Sequence, residues 1–285
     1  MSCRQITLTV NDGARRPGHL KLNLGVAGGR TVIRDGYWTA PLKVAKPFYL
    51  DDSGEAFIYL MNPSGGMVRG DSYLLEVSLE KDARAFLTTQ AATKIYKTPG
   101  SGVEQRCAFK VGEGALLEYF PDPVIPFADS SFHGETEIFL SGGAIVFMGE
   151  ILAPGRAYQG EIFRFDKYYS RTKVYNESNI PILWDSLVLE PVRRNYKHLG
   201  LYESYTHLAH MFCFSENIDQ GLADQLHELI AGFSGLTGSA SLTCQGGVAV
   251  RMLGNGCYEL EKVLMGCWDL ARQRLLGNPA PGIRK

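Results

Sequence analysis

The sequence has no run of about 20 apolar residues, so nothing in it predicts a membrane-spanning helix. It also lacks a signal-peptide pattern, because Arg4 and Asp12 fall where an unbroken apolar stretch would be needed. The expectation is a cytosolic protein. No C-x-x-C spacing occurs among the six scattered cysteines, Cys3, Cys107, Cys213, Cys244, Cys257 and Cys267. In the cytosol they stay reduced, and they read as buried small hydrophobes. No tract of Lys or Arg could follow a phosphate backbone, and 29 basic residues against 30 acidic ones leave a formal charge of -1. Nucleic acid is therefore not the expected partner. Three glycine-rich places, Gly25 to Gly29, Gly65-Gly66 with Gly70, and Gly254 to Gly256, lack the Gly-Lys-Ser/Thr ending of a phosphate-binding loop. They read as turns. There is no G-x-S-x-G either, which removes the simplest serine-nucleophile reading.

What is present fits a chain with a sizeable core: 285 residues, 45% hydrophobic and 21% charged. Short alternating stretches broken by Gly, Pro, Asn and Asp run from about residue 5 to 190, the pattern of many strands joined by turns. The clearest covers 72–80, where Tyr73, Leu75, Val77 and Leu79 share one face and Ser72, Glu76, Ser78 and Glu80 the other. Strands are also predicted over 5–10, 19–26, 57–61, 85–89, 103–110, 115–120, 135–140, 144–150, 161–165, 172–175 and 182–190. The last third changes character. Ser215 is placed to cap a helix over about 215–231, with Ile218, Leu222, Leu226, Leu229 and Ile230 at helical spacing. A hairpin turning at Gly246-Gly247 is expected next, then a helix over about 258–276 with a stripe of Leu260, Val263, Leu264, Cys267, Trp268, Ala271 and Leu275, stopped by Gly277. The picture is one continuous, mainly β domain over 1–285 carrying two late helices. No βαβ alternation and no fixed-period repeat is visible.

Two sets of side chains could carry chemistry. His207, His210 and Cys213 would share one face of a helix but would alternate across a strand, and the apolar neighbours fit both. Asp71, Glu118, Asp122, Glu150 and Glu161 sit in apolar, glycine-flanked surroundings, where a carboxylate must be hydrogen-bonded, paired or cation-bound to offset desolvation. Paired carboxylates could equally serve acid–base hydrolysis on a β-solenoid. A plainer reading has Asp71 and Glu118 capping turns or pairing with Arg69 and Lys94. Pro121, Pro123 and Pro126 stiffen the chain around Asp122. Fourteen Tyr and 14 Phe suit both cores and interface centres.

Four segments in order resemble the UreD family, also called UreH: Gly65-Gly-Met-Val-Arg-Gly-Asp71, Leu87-Thr-Thr-Gln-Ala-Ala-Thr-Lys-Ile-Tyr96, Leu117-Glu-Tyr-Phe-Pro-Asp-Pro-Val-Ile-Pro-Phe127 and Gly149-Glu-Ile-Leu-Ala-Pro-Gly-Arg156 leading to Gly160-Glu161. The resemblance runs from about Gly18 to Asp185. It implies a β-helix-like scaffold with two flanking helices that catalyses nothing itself. It further implies binding to the accessory protein UreF, recruitment of the GTPase UreG through UreF, and docking of this complex, which could dimerise, on apo-urease for nickel insertion. No cofactor would be tightly bound, and nickel would be in transit. By the same resemblance, Asp71, Glu118, Asp122, Glu150 and Glu161 would line or shape the nickel passage, with Thr88, Thr89 and Gln90 supplying neutral oxygens. A structural adaptor with no nickel path, or a carboxylate-dependent hydrolase, is the alternative.

Overall fold

A computed structural model of the chain describes residues 18–283; the strand expected over 5–10, and Cys3, lie outside them. In chain order, a hairpin of β1 (Gly18–Ala27) and β2 (Arg30–Trp38) leads to β3 (Lys43–Val44) and β4 (Ala56–Met61). Coils follow: β5 (Ser72–Leu79), β6 (Arg84–Thr89) and β7 (Thr93–Ile95); β8 (Val103–Val111), β9 (Leu116–Tyr119) and β10 (Val124–Pro126); β11 (Ser131–Leu140) and β12 (Ile145–Leu152). The rest comprises β13 (Lys167–Tyr175), β14 (Pro181–Leu189), β15 (His207–Phe214), α1 (Gln220–Ala231), β16 (Thr237–Leu242), β17 (Gly247–Gly254) and α2 (Cys257–Leu276).

Corresponding strands of successive coils pair in parallel and stack into two sheets. One sheet runs β14-β13-β11-β8-β5-β1-β2, and the second follows the path β16-β17-β15-β12-β9-β6-β4-β3. This is the β-helix-like, mainly β architecture with two helices in the last third that the resemblance implied. Hydrogen bonds between coils repeatedly join residues 32 or 33 apart: Thr88 to Phe120, Thr89 to Asp122, Thr98 to Ser131. The repeat escapes inspection because what recurs is strand placement, which many apolar residues satisfy, while the connecting turns differ in sequence.

Leu22 of β1, Val77 of β5 and Phe109 of β8 meet Ile58, Leu87, Leu117 and Val146 of the second sheet in a core between the sheets. The other face of the second sheet is also apolar: Phe57, Phe86, Phe147, Met211 and Val250 pack beneath the two helices. Buried on both faces, the strands of this sheet read as almost unbroken apolar runs. That settles the segment 207–214 as strand β15. Phe212 and Phe214 enter the inter-sheet core while Met211 and Cys213 face the helices, so alternation turns His210 away from His207 and Cys213.

Some expectations need correction. Helix α1 begins after Asp219, whose Oδ1 accepts from Leu222 N at 2.9 Å; Ser215 closes a separate turn by accepting from Asn217 N. The Gly- and Ser-rich run from Gly232 to Ser241, which follows the first helix, contains most of β16, the edge strand of the second sheet. Residues 161–165 are not a strand. Phe163 has φ 53, and Gly155, with φ 129, lies where a Cβ would stand 2.5 Å from Glu161 O, so the chain folds back on itself there. Cys107, Cys213 and Cys267 are buried, but Cys244 is exposed. The stripe of α2 is buried from Leu260 to Ala271, with Leu275 only partly so, and it carries one unexpected member, Arg272, only 2% exposed.

Candidate functional site

The fold disperses the five candidate carboxylates. Asp71 caps the turn before β5, its Oδ2 accepting from Val68 N at 2.9 Å and from Tyr73 OH at 3.2 Å. Asp122 and Thr89 bond reciprocally between coils: Thr89 Oγ1 donates to Oδ2 at 2.9 Å and Asp122 N donates to Oγ1 at 2.7 Å. Glu161 forms a two-pronged ion pair with Arg156 and also accepts from Ala128 N. The hydrogen bond from Arg156 holds its carboxyl below the usual range.

Glu118 and Glu150 are set deeper, on opposite faces of the second sheet. Glu118 lies in register with Phe147; Glu150 is three residues further along, and an odd step along a strand reverses the face. Glu118 points beneath α2, where Arg272 Nε is 3.4 Å from its Oε1 and Arg272 Nη2 is 2.6 Å from Glu55 Oε2. Burial, then the neighbouring Glu55 charge, pushes the Glu118 carboxyl well up, and burial raises Glu55 against the pull of Arg272. Two carboxyls therefore share one guanidinium, and burial favours the protonated form of each. Thr88 lies on this face too, donating its hydroxyl to Phe120 O at 2.6 Å.

Glu150 points between the sheets. Its Oε1 accepts from Tyr168 OH at 3.1 Å and its Oε2 lies 3.9 Å from His210 Nε2. No Lys or Arg among the described residues pairs with it, and burial pushes its carboxyl up to about 7. Burial lowers His210 to about 4, Asp185 opposing and Arg251 adding to the effect.

Glu150 stands on the wall of a cavity of about 160 Å³, far more than the ~15 Å³ that one water needs on this measure. Thr89, Gln90, Asn62, Gln105 and Tyr119 line it, and Gln90 is exposed. All four motif segments converge here: Gly65-Gly66, residues 89–94, then Tyr119, Pro121 and Val124, and lastly Glu150. Gly66 adopts φ 155, and a Cβ on it would sit 2.5 Å from Lys94 O, so these two segments can approach only at a glycine. Glu150 is the one carboxylate among the described residues on this wall. The Cys107 thiol, also on the wall, is pushed up to about 12 by burial and stays protonated. Among the described residues, no three His, Cys, Asp or Glu side chains converge to hold a metal ion.

Thr89, Gln90 and Glu150 thus share one space. Asp71, Asp122 and Glu161 shape turns and coil contacts, and Glu118 and Thr88 belong to the helix side. His210, the neighbour of Glu150, stands out in the sequence only with His207 and Cys213 on a supposed helical face; its place opposite Glu150 depends on strand register, which no local spacing reveals.

Over residues 16–285 the chain matches the family described as UreD urease accessory protein. It is 37% identical over 249 residues to the urease accessory protein UreD of Acetivibrio thermocellus, covering 87% of this chain and 95% of that one. The protein of the same name from Arthrobacter sp. (strain FB24) is 34% identical over 274 residues, 94% of each chain. That from Staphylococcus aureus (strain JH9) is 33% identical over 250 residues, 87% of this chain and 90% of that one. With the family matched from residue 16 to the last residue and relatives above 30% identity over most of their length, the chain belongs to the UreD family of urease accessory proteins.

Proposed function

We propose that this chain is a cytosolic urease-maturation scaffold, a single domain without turnover of its own, through which nickel passes on its way into apo-urease. UreF is the proposed direct partner, the GTPase UreG joins through UreF, and apo-urease receives the assembly. The observation that carries this reading is the convergence of the four motif segments on one cavity that has Thr89, Gln90 and Glu150 on its wall. A passage of this kind needs oxygen ligands strong enough to replace some hydration water and too few to retain the ion. Thr89, Gln90 and Glu150 supply such ligands. The hydrolase alternative loses support, because an acid and a base about 5–9.5 Å apart are required and this cavity wall carries a single carboxylate.

The test is urease activity in cells expressing the urease subunits and the accessory proteins, with this chain intact, deleted, or carrying Glu150→Gln. The expected result is loss of activation on deletion. Glu150→Gln should still co-purify with its partners yet yield nickel-poor urease. Activation that survives deletion overturns the maturation role; full activation by Glu150→Gln leaves a scaffold whose nickel path lies elsewhere.

A further inference from the structure

Glu150 and His210 face each other directly across the β12–β15 ladder. Backbone register on two central strands, rather than a loop, sets their spacing. Tyr168 OH occupies one carboxylate oxygen, leaving Oε2 turned toward His210 Nε2 at 3.9 Å. That imidazole nitrogen is buried and has no hydrogen-bond partner among the described residues. Each group alone is costly in a protein interior: a carboxylate without a cation, and a ring nitrogen without a partner. A single small cation between them satisfies both. Bonds of about 2.1 Å to nitrogen and oxygen bring two ligand atoms to roughly 3–4 Å apart, which the pair matches with little movement.

We infer that Glu150 and His210 form a two-ligand waypoint for a borderline divalent cation such as nickel, its other positions filled by water from the cavity. The inference rests on the transit reading above and extends it by adding the imidazole and, with it, ion selection. A site made of carboxylate and carbonyl oxygens alone suits magnesium or calcium, whereas one imidazole shifts preference to nickel, cobalt or zinc. The surroundings permit this. On the far side of His210, Arg251 of β17 is paired with Asp185 of β14, so its charge is offset. Facing Glu150 from the other strands are Tyr168 of β13, Tyr119 of β9 and Cys107 of β8, all protonated in their buried settings. Two protein ligands hold an ion loosely enough to release it.

The experiment is calorimetric titration of the full-length chain with nickel chloride in excess magnesium, comparing wild type with His210→Gln, Glu150→Gln and, as a control, the exposed His198→Gln. Both site variants should weaken nickel binding on the order of tenfold or more, with His198→Gln unchanged and magnesium a poor competitor. Glu150→Gln removes a buried charge and so keeps the fold, which preserves a second arm if His210→Gln folds poorly by circular dichroism. Nickel affinity unchanged in either folded variant, or displacement by equimolar magnesium, overturns the inference. If deletion of the chain abolishes urease activation while both variants bind nickel like wild type, the waypoint fails and the maturation role stands. If deletion leaves activation intact, the maturation role fails whatever the titration shows.

Discussion

The two faces of the second sheet treat a buried glutamate in opposite ways. On the helix side, Glu118 and Glu55 close around Arg272, with side-chain exposures of 0%, 0% and 3%. On the inner side, Glu150 has no Lys or Arg partner among the described residues, keeps 16% side-chain exposure and looks into a cavity. The outer cluster draws a guanidinium from its own chain, which fastens α2 to β9 and to the start of β4, a structural role. The inner carboxylate has been left uncompensated at some expense in stability, as functional positions commonly are. What separates the two roles is a cation within reach, since both residues are glutamates buried in one sheet.

The most forceful challenge to this contrast is to remove the outer cation. Arg272→Ala strands two buried carboxyls, and a cost of about 3–5 kcal/mol is expected, read as a lowered midpoint in urea unfolding. A cost under about 1 kcal/mol would mean that the apolar stripe holds α2 unaided.

A second test uses pH on the inner face. Folded Glu150 titrates at about 7 against an ordinary 4.5, so the folded chain holds this proton more tightly than the unfolded chain does. The resulting contribution to stability is complete below about pH 4.5 and is lost as pH rises through 7, by roughly 3 kcal/mol at most. Glu150→Gln should therefore match wild type at pH 4 and exceed it at pH 8 by up to that amount, measured by chemical unfolding at both values. An equal effect at the two pH values would show that the folded carboxyl titrates like the unfolded one, so that burial does not raise it.

Much of the fold is legible in the residues alone, and what is not legible has physical causes. Strands β5 and β8 and the stripe of α2 declare themselves because one face meets a core and the other does not. Strand β2 does not: only Thr31 of its nine residues is buried, and Arg34 and Asp35 are exposed at the sheet edge, so no alternation marks it. Strand β15 is ambiguous in sequence because burial on both faces erases the period. Arg272 looks like a solvent residue, since a charge partner 217 residues away leaves no local trace. The candidate carboxylates can be recognised as buried or bonded groups, but sorting them requires register. Glu118 and Glu150 stand one coil apart, and nothing local reveals that the step between Phe147 and Glu150 puts them on opposite faces.

The finest comparison sets one hydroxyl on each face against the other. Thr88→Val removes the bond to Phe120 O on the helix side, a neutral pair worth about 1 kcal/mol whatever the pH. Tyr168→Phe removes the bond to Glu150, whose partner changes charge near neutrality. Below pH 5 the carboxyl is protonated and the loss should also be about 1 kcal/mol; above pH 8 it is ionised, and a bond to a charged acceptor is worth roughly 1.5–3 kcal/mol. The cost of Tyr168→Phe should thus grow with pH while that of Thr88→Val stays flat, by thermal unfolding at pH 5 and 8. Parallel behaviour of the two variants would mean that Glu150 keeps its proton throughout, and the electrostatic difference between the two faces would vanish with it.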